Sequence, residues 1–278
     1  MKETFDTISH EMSTLTTKRY STSFSLGIKM LNPEIQKPIY AIYGFVRFAD
    51  EIVDSFHSFD KSKLLADFRV QTYQAINDGI SLNPILNSFQ WAVNCYNIPL
   101  SLIETFLESM KMDLNKQAYD EEQYKKYILG SAEVVGLMCL KVFVNGDEQE
   151  YLRLKPSAMK LGSAFQKINF LRDLKDDFQT LGRTYFPGIN MEEFNATVKK
   201  EIEADIEADF RAGYEGILQL PKNARFGVYM AYKYYFKLFK KIKAKSAQNI
   251  LTERIRIPNY RKMRILLTSY VRHNLNML

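Results

Sequence analysis

Four aspartates stand out by their spacing. Asp50 and Asp54 lie four residues apart in "RFADEIVD", and Asp173 and Asp177 lie four apart in "NFLRDLKDDF". On a helix, positions i, i+3, i+4 and i+7 share one face. Arg47, Asp50, Glu51 and Asp54 therefore align on one helix, with Ile52 and Val53 directed elsewhere. On a second, Gln166, Asn169, Asp173 and Asp177 align, and Arg172 flanks them. Like charges at i and i+4 repel by about a few tenths of a kcal/mol on an isolated helix, and a divalent cation is one way to offset that. Mg²⁺ takes carboxylate oxygens together with water and substrate phosphates. Two such faces opposed across a bundle would hold several Mg²⁺ ions, with Mn²⁺ as an alternative, against a diphosphate. The arginines would add charge-assisted hydrogen bonds to its oxygens. Diphosphate bound in this way is a good leaving group, so the chemistry to expect is ionisation of an allylic carbon–oxygen bond. An apolar, aromatic interior would shelter the carbocation from water. A single acidic pair on a surface helix is ordinarily just solvated. Two pairs, each framed by apolar residues and an arginine, leave a solvated face and a metal–diphosphate site as equal readings.

Helices must position these residues, and helical periodicity dominates the chain. In "NPEIQKPIYAIYGFVRFADEIVDSF" the apolar residues Ile35, Ile39, Ile42, Phe45, Val46, Ala49 and Val53 recur at three- and four-residue steps, after a helix start at Asn32-Pro33. Further helices are predicted over Lys61–Asn77, Asn83–Tyr96, Ser101–Leu114, Glu121–Val144, Glu148–Leu181, Met191–Leu218, Asn223–Ala247 and Asn259–Asn276. The breaks fall at "NDGISLNP", "NIPL", "NGDE", "LGRTYFPGIN", "LQLPKN" and "RIRIPN". No alternating strand pattern, linker or internal repeat appears. The expectation is one all-α domain over residues 1–278, its helices packed as a bundle.

Composition agrees. An apolar content of 46% in 278 residues supports a large core. Two cysteines, Cys95 and Cys139, suggest no disulfide framework, and the N-terminus has no apolar stretch for a signal peptide, so a cytoplasmic location is expected. No apolar run reaches the length of a membrane span. The net charge of +6 would suit nucleic acid, an anionic membrane surface or phosphorylated small molecules. No nucleic-acid-binding pattern is present, and the tyrosines and phenylalanines follow helical periods rather than forming a base-stacking platform.

"YGFVRFADEIVD" and "LGSAFQKINFLRDLKDDFQTLGRTYFP" closely resemble the two signature segments of the squalene and phytoene synthase family. "KRYSTSFSLGI" resembles its Ser-x-Ser-Phe segment through Ser21, Ser23 and Phe24. "GSAEVVGLM" resembles its Val-Gly motif, and "ILTERIRIP" its basic segment before the last helix. The resemblance runs from about Lys18 to Arg256. It implies a head-to-head prenyltransferase with an isoprenoid-synthase helical bundle around a central cavity. Asp50, Asp54, Asp173 and Asp177 would bind Mg²⁺, and through it the diphosphates of prenyl substrates. Arg47, Arg172 and Arg254 would contact diphosphate oxygens, as would Ser21 and Ser23. Asn169 and Gln166 would position substrate or metal. Tyr43, Tyr185 and Tyr235 would line the cavity near the reacting carbons, with Phe24 also at the substrate.

The chain departs from the family in three places. The first motif reads Asp-Glu-x-x-Asp, with Glu51 keeping the charge. Glu133 replaces a small residue near the expected pocket wall, and Leu129 stands where a tyrosine is often found, although Tyr127 remains. The family joins two prenyl diphosphates to a cyclopropylcarbinyl diphosphate and rearranges it. Proton loss then gives phytoene, or NADPH hydride gives squalene. A chain ending at "VRHNLNML" without a membrane anchor fits bacterial phytoene synthase best, acting on two geranylgeranyl diphosphates and without NADPH. Dehydrosqualene and squalene synthases, which use farnesyl diphosphate, are the alternative. A non-catalytic interaction factor is a reading of another class, opposed by the intact acidic motifs. An apolar product and a basic C-terminal third lead to the expectation of peripheral contact with an anionic membrane.

Overall fold

The computed structural model of the chain describes residues 1–114, 119–181, 186–187, 194–252 and 255, with the side chains of all these except 22, 23 and 176–181. Every element among them is helical. In chain order they are α1 (Lys2–Tyr20), α2 (Thr22–Lys29), α3 (Pro33–Asp54), α4 (Lys61–Asp78), α5 (Pro84–Cys95) and α6 (Leu100–Leu114). After α7 (Glu121–Ile128) and a π-helical turn (Leu129–Glu133) follow α8 (Val134–Phe143), α9 (Glu148–Leu181), α10 (Ala196–Gln219), α11 (Lys222–Lys243) and α12 (Ala247–Thr252).

The helix starts follow from capping chemistry. Side-chain oxygens of Asn32, Asp60 and Asn83 accept from Glu34 N at 3.0 Å, Lys63 N at 3.0 Å and Ile85 N at 3.1 Å. Each satisfies backbone donors that the first helical turn leaves open. Asp120 and Gln123 close a reciprocal capping box on α7. The predicted run over 191–218 starts later, at Ala196, where Asn195 caps Thr197 N at 2.9 Å. The expected Asn259–Asn276 helix lies outside the described residues.

Helix α3 sets the layout because it is buried on two sides. One side carries Ile42, Phe45 and Ala49 into a packed core, where the Phe45 ring stacks on Phe89 with centroids 3.9 Å apart and meets Phe68 and Phe106 at 5.5 and 5.4 Å. Such aromatic contacts bury much apolar surface and fix ring geometry. The other side carries Ile39, Tyr43, Val46, Arg47, Asp50 and Asp54 along a cavity. Opposite runs α9, 34 residues long. The run predicted as one helix over 121–144 is instead divided by the π turn, whose backbone presses directly on α9. A Cβ on Gly162 would stand 2.8 Å from Ala132 O, closer than any side chain tolerates.

Candidate active site

The helices enclose a cavity of about 930 Å³. Along both α3 and α9 its lining turns from apolar to polar in chain order: Ile39, Tyr43 and Val46 precede Arg47, Asp50 and Asp54. Leu154, Leu161 and Phe165 precede Gln166, Asn169, Arg172 and Asp173. An aromatic layer ties the two helices at one level. Phe24 of α2 lies 4.8 Å from Tyr43, 6.3 Å from Phe165 and 5.7 Å from Tyr235, and Tyr235 stacks on Phe165 at 4.1 Å. Asp50 and Arg172 each follow this layer by seven residues, roughly 10 Å of helix at 1.5 Å per residue. The expected acid–arginine pairs thus line one common cavity. Among the described residues, Ser21, Phe24, Tyr43, Arg47, Asp50, Asp54, Gln166, Asn169, Arg172, Asp173 and Tyr235 all line it. Tyr185 and Arg254 lie outside the described residues, as do the side chains of Ser23 and Asp177.

The polar lining is crowded with charge. Arg47 Nη1 donates to Asp50 Oδ2 at 3.3 Å, and its Nη2 pairs with Glu51. Arg172 Nε donates to Asp173 Oδ1 at 3.0 Å, and its Nη2 bonds Oδ2 as a second prong. Burial works against the Arg172 charge, but Asp173 outweighs it and the guanidinium stays protonated. Asp50 keeps 35% of its side-chain surface open, yet that surface belongs to the cavity wall. Burial, with Asp54 close by, pushes its carboxyl up to about 7 against the pull of Arg47.

Two observations test whether a divalent cation fits here. Burial and the neighbouring carboxylates of Asp54 and Glu51 hold the Asp50 carboxyl above its ordinary value, and the Asn169 side-chain oxygen is buried without a hydrogen-bond partner. Both are what an oxygen-loving cation would satisfy. Among the described residues no three acidic, histidine or cysteine side chains converge on one point. Mg²⁺ needs no such cage, since it usually takes one or two carboxylates and completes its shell with water and phosphate. The residues present fit Mg²⁺, with Asp50, Asp54, Asn169 and Asp173 as the donors to hold it.

Tyr43 and Tyr235 keep their protons. Burial lifts the Tyr43 hydroxyl well above its ordinary value, and it lifts Tyr235 to about 12. They can present ring faces and O–H donors, not phenolates. Ser21 spends its hydroxyl as the α2 N-cap, accepting from Phe24 N at 3.4 Å.

Other groups share the cavity. Tyr20 lies in its lining, its ring 4.5 Å from the Arg47 guanidinium carbon. Asp113 also lines the cavity, accepting from Tyr127 Oη at 2.8 Å. Its signal in the sequence was an acid seven residues after Phe106 and three after Met110, on the buried stripe of α6. The expectation that Glu133 stands at the pocket wall is corrected. Ser131, Ala132, Val135 and Gly136 line the cavity, whereas Glu133 and Leu129 do not. The charged groups facing Glu133 are Lys160, Lys167 and Asp209, and burial raises its carboxyl. There Asp209 accepts from Lys160 at 2.8 Å, Lys167 at 2.7 Å and Ser163 at 2.7 Å. The extra carboxylate is accommodated beside two lysines on the far side of the π turn.

Comparison with known proteins gives a consistent picture. The chain is 26% identical over 194 residues to a 4,4'-diapophytoene synthase from Staphylococcus haemolyticus, covering 69% of this chain and 67% of that one. It is 23% identical over 283 residues to a phytoene synthase from Arthrospira platensis, covering 93% and 91%. Against a chloroplastic phytoene synthase of Zea mays the identity is 26%, and the chain spans only 64% of that relative's length. A solved dehydrosqualene synthase superimposes with a TM-score of 0.82 at 20% identity over 97% of this chain and 98% of that one. The squalene synthase HpnC from Alicyclobacillus acidocaldarius gives 0.72 at 21% over 84% and 93%. The model of the squalene/phytoene synthase family matches residues 17–261, so the chain belongs to this family of head-to-head prenyltransferases.

Proposed function

We propose that the chain condenses two geranylgeranyl diphosphates head to head to phytoene. The observation that carries this is the cavity's lining: two acid–arginine helix faces, an aromatic layer, and an apolar remainder. Bound Mg²⁺ would neutralise the diphosphate and make it a better leaving group. Arg47 and Arg172 donate to diphosphate oxygens. In the first step one allylic C–O bond breaks, diphosphate departs with the electron pair, and the second substrate's double bond attacks the cation. Loss of a proton leaves a cyclopropylcarbinyl diphosphate. Ionisation of that intermediate, rearrangement and a second proton loss give the linear hydrocarbon with its central conjugated triene. The faces of Tyr43, Tyr235 and Phe165 stabilise the cations, and the apolar lining keeps water from trapping them.

A second reading keeps the site and shortens the substrate: two farnesyl diphosphates give dehydrosqualene, or squalene with NADPH. The close superposition on a dehydrosqualene synthase favours it. Incubation with farnesyl or geranylgeranyl diphosphate and Mg²⁺, with and without NADPH, separates these by product. Phytoene from the C20 substrate is expected. Product from farnesyl diphosphate alone would replace the first reading by the second, and no product from either substrate would leave only the interaction-factor alternative. We further propose that the chain works against an anionic membrane, into which its hydrocarbon product passes. No helix among the described residues is long and apolar enough to cross one.

A further inference from the structure

Arg47 is held from two sides by residues to which the chemistry above gives no role. Its Nη2 pairs with Glu51 one turn on, and its guanidinium carbon stands 4.5 Å from the centroid of the Tyr20 ring. Glu51 keeps only 12% of its side-chain surface open. It is absent from the cavity lining, although Asp50 and Asp54 on either side of it are present. The middle acid of "DEIVD" is therefore turned from the cavity onto the arginine. Tyr20, the last residue of α1, lines the cavity beside Arg47 and is half-exposed. A carboxylate at one edge and an aromatic face against the guanidinium remove most of the freedom of a long side chain. One edge stays open: Arg47 keeps 31% of its side-chain surface accessible and lines the cavity. A cationic donor held at a cavity wall is poised for an anion.

We propose that Tyr20 and Glu51 are positioning residues that clamp Arg47 so that its open donor edge meets the diphosphate oxygens of a bound prenyl substrate. The clamp rests on the diphosphate reading of the cavity. It gives the Asp-Glu-x-x-Asp motif a division of labour, with its outer acids facing the cavity and its middle acid serving the arginine. Pre-set in this way, the arginine loses little entropy when the anion arrives.

Calorimetric binding of inorganic pyrophosphate in the presence of Mg²⁺ tests the clamp without turnover. Tyr20→Leu and Glu51→Gln should each weaken binding about tenfold, the size of one partly desolvated cation–π contact or charged hydrogen bond. Tyr20→Phe, which keeps the ring, should restore most of the affinity. Thermal melting should place each variant within a few degrees of the parent, as fits a half-exposed ring. In an Arg47→Gln background the Tyr20→Leu effect should vanish, because the ring acts through the guanidinium. Undiminished affinity in Tyr20→Leu, or an equal loss with Arg47 already gone, overturns the clamp alone. A parent protein that binds no pyrophosphate overturns the diphosphate reading and the clamp with it.

Discussion

Asp50 illustrates how a residue can serve a site at the fold's expense. Its carboxyl is pushed up to about 7 from an ordinary 3.8, first by burial and then by Asp54. A carboxylate with a raised folded value is protonated in the fold while still ionised in the unfolded chain. Stability is therefore lost as pH climbs from about 3.8 to about 7, and the loss persists above that. Asp50→Asn should raise the melting temperature of metal-free protein at pH 8, change it little at pH 4, and abolish turnover. Turnover retained in that variant, or in Asp173→Asn, would exclude these residues from the diphosphate site. Asp50, Asp54, Asp173, Arg47, Arg172 and Asn169, all of which line the cavity, were legible in the sequence because helical spacing makes a face visible. Asp113 showed only as an acid on the buried stripe of α6, and Tyr20 not at all. The partner of each, Tyr127 or Arg47, sits on another helix.

At the level of elements, the clearest miss is α1, which is not among the predicted helices. Its buried face is Ser9, Ser13 and Thr17, whereas its apolar residues Ile8, Met12 and Leu15 stay exposed, the reverse of the usual pattern. Ser9 and Thr17 satisfy their hydroxyls on the carbonyls of Phe5 and Ser13 at 2.8 and 2.9 Å, whereas the Ser13 hydroxyl is buried without a partner. This close packing brings Tyr20 to the cavity. The π turn escapes prediction for a related reason, since it depends on backbone contact with α9 rather than on side-chain pattern. Helices α2 and α11 meet by the same device. A Cβ on Gly227 would stand 2.4 Å from Leu31 Cδ2 and 2.8 Å from the Gly27 carbonyl oxygen. The leucine can turn, but the carbonyl belongs to a helix. Gly227→Ala should therefore cost about 1–3 kcal/mol as overpacking, lowering the melting temperature by about 3–10 °C in a chain of this size. An unchanged melting temperature would mean that α2 shifts freely on α11. That would also loosen the Phe24–Tyr235 contact on which the aromatic layer depends.

Over the whole molecule, charge is segregated between neighbouring helices. Helix α11 carries seven Lys and Arg and no Asp or Glu, whereas α10, packed against it, carries six Asp and Glu. Some of this charge is spent in pairing, as in Lys243–Glu207 at 2.7 Å. Lys237 and Lys240 remain on the exposed surface, one and two turns beyond Tyr234, which lines the cavity. A basic helix bordering an apolar cavity suits the proposed membrane contact. Anionic headgroups attract each nearby Lys or Arg by about 1 kcal/mol, and salt screens the attraction. Flotation with vesicles containing phosphatidylserine should therefore recover the protein at low ionic strength and lose most of it at high. Neutral vesicles should recover little. Reversing Lys237 and Lys240 to glutamate should abolish the low-salt binding while leaving pyrophosphate affinity in place, since neither lysine lines the cavity. Absence of flotation at both ionic strengths would remove the membrane from the proposal and leave α11 as a solvated basic face. Flotation that survives the double reversal would instead locate the contact elsewhere. Exposed Phe48, Phe56 and Phe59, at and just beyond the end of α3, would then be the first residues to test.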